Sequence, residues 1–121
     1  MIFKSIKKEI PQPISDAPIL IQPRCLKNKV LGELKVYPDR LEFKGTLEGK
    51  ELSTQTYYMR DIAKVNTFLM NGIDIIFTMK NGKRVRILFW DPNDLIYSRS
   101  NRQNLIEVRK NVLNIIRYSI N

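Results

Sequence analysis

The sequence predicts a mainly β fold, a small barrel of about seven antiparallel strands capped by one C-terminal α-helix. Three observations lead to this prediction. Short runs of alternating apolar and polar residues follow one another, with turn residues between them. Two of these runs meet at Asn81-Gly82, a favoured pair for a hairpin turn. Beyond Asp91 the apolar spacing lengthens to that of an amphipathic helix.

The chain is expected to divide into an N-terminal extension, residues 1–17, and one domain, residues 18–121. Pro11 and Pro13 interrupt any helix within the extension. Apolar residues near the start of the extension have helical spacing, which would suit a membrane anchor. Three expectations for the extension remain open. The extension docks on the domain, is disordered, or anchors at a membrane surface.

The first half of the domain predicts strands over Ile19–Leu26, Leu31–Tyr37 and Arg40–Lys44. Apolar side chains fall on one face of the second and third strands and charged side chains on the other, so these two form a half-buried hairpin. The glycine-bracketed stretch GTLEGKE is expected to be a loop. A strand rich in Thr and Tyr follows over Leu52–Met59, and a fifth over Ala63–Leu69.

The clearest local pattern is IDIIFTMKNGKRVRILFW, residues 73–90. Its alternation predicts two strands joined at Asn81-Gly82 by a two-residue type I′ turn, in which both residues need positive φ. SNRQ, at Ser100–Gln103, matches a capping box with serine as the cap. The apolar residues of the predicted helix follow at helical spacing: Leu105, Val108, Val112, Ile115 and Ile116.

The composition argues against the common catalytic schemes. The 121 residues include no histidine, which removes Ser-His-Asp and Cys-His nucleophiles and the commonest metal ligand. Neither glycine-rich phosphate loop is present. We therefore predict a protein that is not an enzyme and that needs no cofactor or metal. The lone Cys25, without a secretory signal or a membrane-length apolar run, favours the cytoplasm, with peripheral membrane association as an alternative.

The net charge of +9 is unevenly distributed. Residues 1–29 carry a net of +4, residues 30–79 a net of −1, and residues 80–121 a net of +6. A positive field of this kind favours polyanionic partners, such as phospholipid head groups, nucleic acid or acidic proteins. The alternative is a basic surface that is only solvated.

Three stretches resemble pleckstrin-homology-like (PH-like) domains, most closely their GRAM and bacterial branch. GELKVYPDRLEFKG is similar to that family's opening hairpin, written G-x-L-x-V-T-x-x-R-L-x-F. YYMRDIAKV is similar to its strand-to-turn segment, with Met59, Ile62 and Val65 at the apolar positions. Residues 73–90, followed by a helix, are similar to its last hairpin and cap. The resemblance runs from Ile19 to Ile120 and implies a PH-like barrel, a fold that serves several kinds of binding.

The resemblance also implies that the loops after the first, third and sixth strands cluster at the barrel end away from the helix. Basic residues in these loops would form a rim suited to phosphate. We call Lys27, Lys29, Lys44, Lys50, Lys80, Lys83 and Arg84 the loop rim. Exposed polar turns with no ligand are the alternative. The first hairpin lacks the arginine pair of phosphoinositide-binding members, so specific inositol-phosphate recognition is not predicted.

The outer face of the last hairpin is a second candidate site. Arg84, Arg86 and Trp90 share a strand face, and such a row can stack bases or hold an acidic peptide. The candidate interaction face consists of Arg86, Leu88, Trp90 and Ile76, with the two aliphatic residues pointing outward on the expected register. The alternative is a solvated strand face.

These features together predict a non-catalytic binding or adaptor module. The first hypothesis is protein–protein recognition or assembly, which includes a homo-oligomer. The second is peripheral binding of anionic phospholipid through the loop rim. The third, with less weight, is non-specific binding of nucleic acid.

Overall fold

The computed structural model describes residues 17–66, 73–89 and 99–120, which form one antiparallel sheet and one helix. A short 3-10 turn, Met59–Asp61, links the fifth and sixth strands. In chain order the elements are β1 (Leu20–Lys27), β2 (Val30–Val36), β3 (Arg40–Leu47), β4 (Lys50–Glu51), β5 (Gln55–Tyr58), β6 (Ile62–Val65), β7 (Asp74–Met79), β8 (Arg84–Leu88) and α1 (Arg99–Ile120). The predicted mainly β fold with a C-terminal helix is confirmed.

The sheet consists of two meanders that share one core. Its strand order is β4-β3-β2-β1-β8-β7-β6, and β5 pairs with β3 beside β4. The meanders join where Leu26 of β1 pairs with Leu88 of β8. The sheet side chains that alternate inward are fully buried, among them Leu34, Phe77 and Ile87. Each such side chain contributes about 1.5–3 kcal/mol by leaving water.

The helix covers this core with the face predicted from its spacing. Val112, Leu113 and Ile116 are buried in the core cluster, and the helix packs on β6, β7 and the 3-10 turn. Arg109, also buried, donates from Nε to the backbone oxygen of Asp74 at 2.7 Å. That bond joins α1 to the first residue of β7. It therefore fixes the position of the helix relative to the strands of the sheet.

Two turns have positive φ at both of their central residues, as type I′ turns do. Asn28-Lys29, with φ of 53° and 67°, joins β1 to β2. Glu48-Gly49, with φ of 52° and 80°, joins β3 to β4. The expectation of a loop over GTLEGKE was therefore wrong, because β3 continues to Leu47 and β4 pairs back on it after a tight turn.

The prediction of a type I′ turn at Asn81-Gly82 was also wrong. Gly82 has φ of 91°, whereas Asn81 is not among the residues with positive φ. Met79 N donates to Lys83 O at 2.8 Å, so the loop contains three residues, with glycine in the left-handed position. The Asn81 side chain accepts from Lys83 N at 2.9 Å, which favours this longer turn.

Most element boundaries differ from the predictions by a few residues. β5 is shorter than the predicted strand over Leu52–Met59, and β6 ends at Val65. The last residues predicted for that strand, 67–69, lie outside the described residues. The helix begins at Arg99, so Ser100 lies within it rather than capping it; the Ser100 side chain is not described.

The extension predicted over residues 1–17 lies almost entirely outside the described part of the chain, which begins at Ala17. Its boundary with the domain stays a prediction. No helix in the described ranges combines the length and the apolar character required to cross a bilayer.

Candidate functional site

A wide concave surface lies between the end of α1 and the β2–β3 turn. It encloses about 870 Å³. We call it the helix groove. Its lining residues come from four separate segments of the chain: Ile19, Pro38, Asp39, Tyr58, Met59, Arg60, Asn114, Ile115, Tyr118 and Ser119.

Hydrogen bonds between the segments hold the groove in shape. Ser119 Oγ donates to Pro38 O at 3.1 Å, which ties the last turn of the helix to the β2–β3 turn. Met59 N donates to Asp39 O at 2.8 Å, which ties the 3-10 turn to the same place. Met59 itself is buried. Both bonds end on the β2–β3 turn, so the helix end and the 3-10 turn are held against the same part of the groove.

Three large side chains of the groove remain in contact with water. Tyr118 is 89% exposed, Ile19 is 55% exposed and Tyr58 is 38% exposed. Single exposed apolar residues are ordinary, but three that line one concavity form a patch of the kind found at interaction sites. Tyrosine suits such a patch because its ring is apolar and its hydroxyl bonds with water or a partner.

The charged groups around the groove are not balanced. Asp39 accepts from Arg40 at 2.8 Å, and Arg40 also donates to Glu42 at 2.7 Å, a bond that raises the pKa of the Arg40 guanidinium. Arg60 lies 4.6 Å over the ring of Tyr58. Within the described ranges, no carboxylate lies at ion-pair distance from Arg60. The groove therefore presents a cation whose charge is not neutralised there.

The residues of the loop rim differ in their surroundings. Lys27 is 8% exposed, with its ammonium 5.9 Å from the ring centre of Tyr57. Burial lowers the pKa of Lys27, and the positive charge of Lys83 lowers it further. Lys44 forms an ion pair with Glu51 at 3.4 Å. Four other residues of the loop rim are exposed to solvent: Lys29, Lys50, Lys80 and Arg84.

The candidate face on the last hairpin is less open than expected. Arg86 Nε donates to Asp74 Oδ2 at 2.7 Å, and the Asp74 side chain is only 8% exposed. Ile76 and Leu88 are half-buried. Trp90 lies outside the described residues, so the arginine-aromatic row stays a prediction.

The helix groove was missed at the sequence level because its residues are far apart in the chain. Tyr118 gave the best available signal, since it is a large aromatic residue that falls off the apolar face of α1.

In the described part of the chain, no three potential metal ligands come together. The sequence matches no protein-family model and no curated protein. The molecule is therefore classified by its own features: an antiparallel β fold capped by a helix, with an apolar groove beside that helix.

Proposed function

We propose that this protein is a PH-like binding module that recognises a protein partner through the helix groove. The observation that carries the proposal is the set of large exposed side chains, Ile19, Tyr58 and Tyr118, around one cavity of about 870 Å³. The three sequence resemblances and the helix-capped sheet support the PH-like part of the proposal. A cytoplasmic location fits the single, buried Cys25.

The chemistry of the groove favours one kind of occupant, an amphipathic acidic segment of another protein. Its apolar side chains would cover Tyr118 and Ile19, and a carboxylate would pair with Arg60. The net charge of +9 favours the approach of such a partner. The chain's own residues 1–16 carry three lysines against two carboxylates, so they match the Arg60 charge less well.

Tyrosine and arginine are the residues expected to supply most of the binding free energy. Both are enriched at interface hot spots, where truncation to alanine costs about 2 kcal/mol or more. Removing Tyr118 should therefore reduce affinity greatly. It should barely change folding stability, because the side chain is 89% exposed.

The test uses a designed peptide probe and the full chain. The probe is a fluorescent helical peptide with leucines at positions i, i+3, i+4 and i+7 and glutamates on the other face. A scrambled peptide of the same composition and a peptide with lysine in place of glutamate serve as peptide controls. Fluorescence anisotropy should show binding of the acidic amphipathic peptide and weaker binding of both controls.

Matched protein variants locate the binding surface. Tyr118→Ala should weaken binding at least about tenfold, and Arg60→Gln should weaken it several-fold. Leu47→Ala removes an apolar side chain that is 48% exposed outside the groove, and it should change nothing. Equal binding by wild type and Tyr118→Ala would overturn the proposal.

Two other occupants of the groove are tested by the same reagents. If residues 1–16 fill the groove, their deletion should strengthen peptide binding by a large factor. If a second copy fills it, light scattering should show a dimer that Tyr118→Ala converts to a monomer. Either result would count against an acidic protein partner.

A further inference from the structure

A second pocket, of about 520 Å³, lies on the outer face of β6, β7 and β8. Its charged and polar residues face one another in register: Lys64 pairs with Thr78, and Thr78 pairs with Arg84. The neighbouring residue on each strand faces the core. Phe77 and Val85 belong to the core cluster, and Val65 packs against it. Strand alternation therefore directs Lys64, Thr78 and Arg84 outward in one row. We call this concavity the cationic pocket.

The two cations of this row are not neutralised within the described residues. No carboxylate there lies at ion-pair distance from Lys64 or Arg84. Asp74, the acidic residue of β7, is held by Arg86 at 2.7 Å. Lys80 and Lys83, in the adjoining turn, are exposed and add to the positive potential.

The walls of the pocket suit a ligand with one anionic group and one less polar group. Thr78 is half-buried between the two cations and carries a hydroxyl that donates or accepts a hydrogen bond. Ile76, also half-buried, gives the pocket an apolar side, and the space beside Gly82 is open. Neighbouring strands are about 4.8 Å apart, so the backbones of β6 and β8 lie about 10 Å apart with β7 between them. Because Lys64 and Arg84 are the register neighbours of Thr78 on either side, their long side chains are placed to contact an anion over Thr78.

We propose that the cationic pocket binds the phosphate group of a phosphomonoester. Arginine and lysine form short, charge-assisted hydrogen bonds with phosphate, and the Thr78 hydroxyl supplies a third contact. Ile76 contacts the esterified part of the ligand. A lipid head group and a water-soluble phosphate ester share this chemistry, and the experiment tells the two sources apart.

The experiment measures binding of two probes to the full chain at low salt. The soluble probe is glycerol 3-phosphate, followed by calorimetry and by amide chemical shifts of Lys64, Thr78 and Arg84. The membrane probe is a phosphatidylcholine vesicle with or without phosphatidic acid, followed by sedimentation. Binding of glycerol 3-phosphate identifies a soluble ester, and binding only to vesicles that contain phosphatidic acid identifies a head group.

Three variants test the pocket with either probe. Lys64→Gln and Arg84→Gln should each weaken binding about tenfold, since each removes hydrogen bonds between charged groups. Thr78→Val keeps the charge and shape of the pocket and should weaken binding about threefold. All three sites lie on the outer face, and thermal unfolding will confirm that each variant folds.

The matched control is Lys50→Gln, which removes the same charge from an exposed position outside the pocket. It should leave the affinity for phosphate within about twofold. Failure of both probes to bind, or equal weakening by Lys50→Gln and Lys64→Gln, would overturn the proposal. Binding of the acidic peptide to the helix groove should be unchanged by Lys64→Gln, so the two proposals stand or fall separately.

Discussion

The outer face of β2 and β3 and the outer face of β6 to β8 both carry many charges. The first pairs its lysines with carboxylates, whereas the second neutralises Arg86 through Asp74 and leaves Lys64 and Arg84 with no carboxylate at ion-pair distance among the described residues. Across β2 and β3, Glu33 pairs with Lys44 and Lys35 with Glu42 in the strand register. The ion pairs themselves join other neighbours, Lys35 with Glu33 on the same strand at 3.8 Å and Lys44 with Glu51 of β4 at 3.4 Å. Each lysine of this face therefore has a carboxylate either opposite it in the register or at ion-pair distance.

Across β6 to β8 the register brings Lys64, Thr78 and Arg84 together instead. Charged residues alternate with apolar ones along both sets of strands, so the two faces look alike in sequence. The difference arises from which strands become neighbours. Where the strand register places opposite charges side by side, the charges neutralise each other and the face needs no ligand. Where the register places charges of one sign side by side, the face becomes a candidate ligand site.

The largest effect is expected from breaking the β2–β3 register on which the neutral face depends. A Cβ at Gly32 would lie 2.5 Å from Lys44 O and 2.7 Å from the ring of Phe43. Because backbone cannot move aside easily, Gly32→Ala should lower the free energy of unfolding by about 3 kcal/mol. Urea denaturation measures this loss. Gly49→Asn, at an open turn position, should cost less than about 1 kcal/mol. A similar small cost at Gly32 would contradict the close approach of β2 and β3.

The next effect concerns β1, the strand that joins the two meanders. Burial raises the pKa of the Cys25 thiol from 9.0 to about 12. The folded state therefore binds this proton more tightly than the unfolded chain does. The protonated thiol therefore stabilises the folded state fully below pH 9, and this contribution is lost as the pH rises toward 12. From about pH 7 to about pH 10.5, the free energy of unfolding should fall by about 2 kcal/mol because of this thiol.

Urea denaturation of wild type and Cys25→Ala at both pH values isolates that contribution. The variant should be less stable at neutral pH because a cavity replaces the sulfur, but its decline with pH should be smaller by about 2 kcal/mol. The shifted pKa values of Tyr57 and Lys27 are common to both proteins and cancel in the comparison. Equal declines would show that the thiol titrates at its ordinary pKa.

A smaller effect should sharpen the contrast between the faces. Asp74→Asn removes the carboxylate that neutralises Arg86, so the face of β6 to β8 gains net positive charge. Binding of glycerol 3-phosphate should become about threefold tighter, and the free energy of unfolding should fall by about 1 kcal/mol because Arg86 is largely exposed. Calorimetry and urea denaturation measure the two effects. Weaker binding would mean that Asp74 holds the pocket in shape rather than limiting its charge.

The smallest effect is expected from the neutral face itself. Lys35→Gln breaks an ion pair between two side chains that are both about 40% exposed, 41% and 42%. The free energy of unfolding should change by less than about 0.5 kcal/mol, because exposed pairs gain little in water. Phosphate binding should not change. A loss above about 1 kcal/mol would show that this face contributes to folding more than its exposure indicates.

The sequence predicted which strand faces are buried because the alternation of Leu34, Val36, Leu41 and Phe43 depends only on local spacing. It did not predict the turns, which depend on register and on side-chain bonds. The bond from Lys83 N to the Asn81 side chain lengthened a turn that the Asn-Gly pair alone would make shorter. Asn28-Lys29 adopted the tight form without a glycine.

The candidate sites were harder to predict, because exposure and neighbours are properties of the folded chain. Lys27 was expected on an exposed rim, yet packing beside Tyr57 buries it. Arg84 is exposed, and its role in binding stays a prediction. Lys64 was not singled out from the sequence, because it lies on a strand that is distant from Arg84 in sequence. No periodic pattern in one segment reveals a row that crosses three strands.

The pairing of Leu26 with Leu88 also bears on how the chain folds. The other strand pairs join segments that are close in sequence, so they form over short loops. Bringing β1 to β8 closes a loop of about 60 residues, and the entropy lost in that closure grows with loop length. We therefore expect the folding rate to depend more on this meeting of distant strands than on the formation of any hairpin.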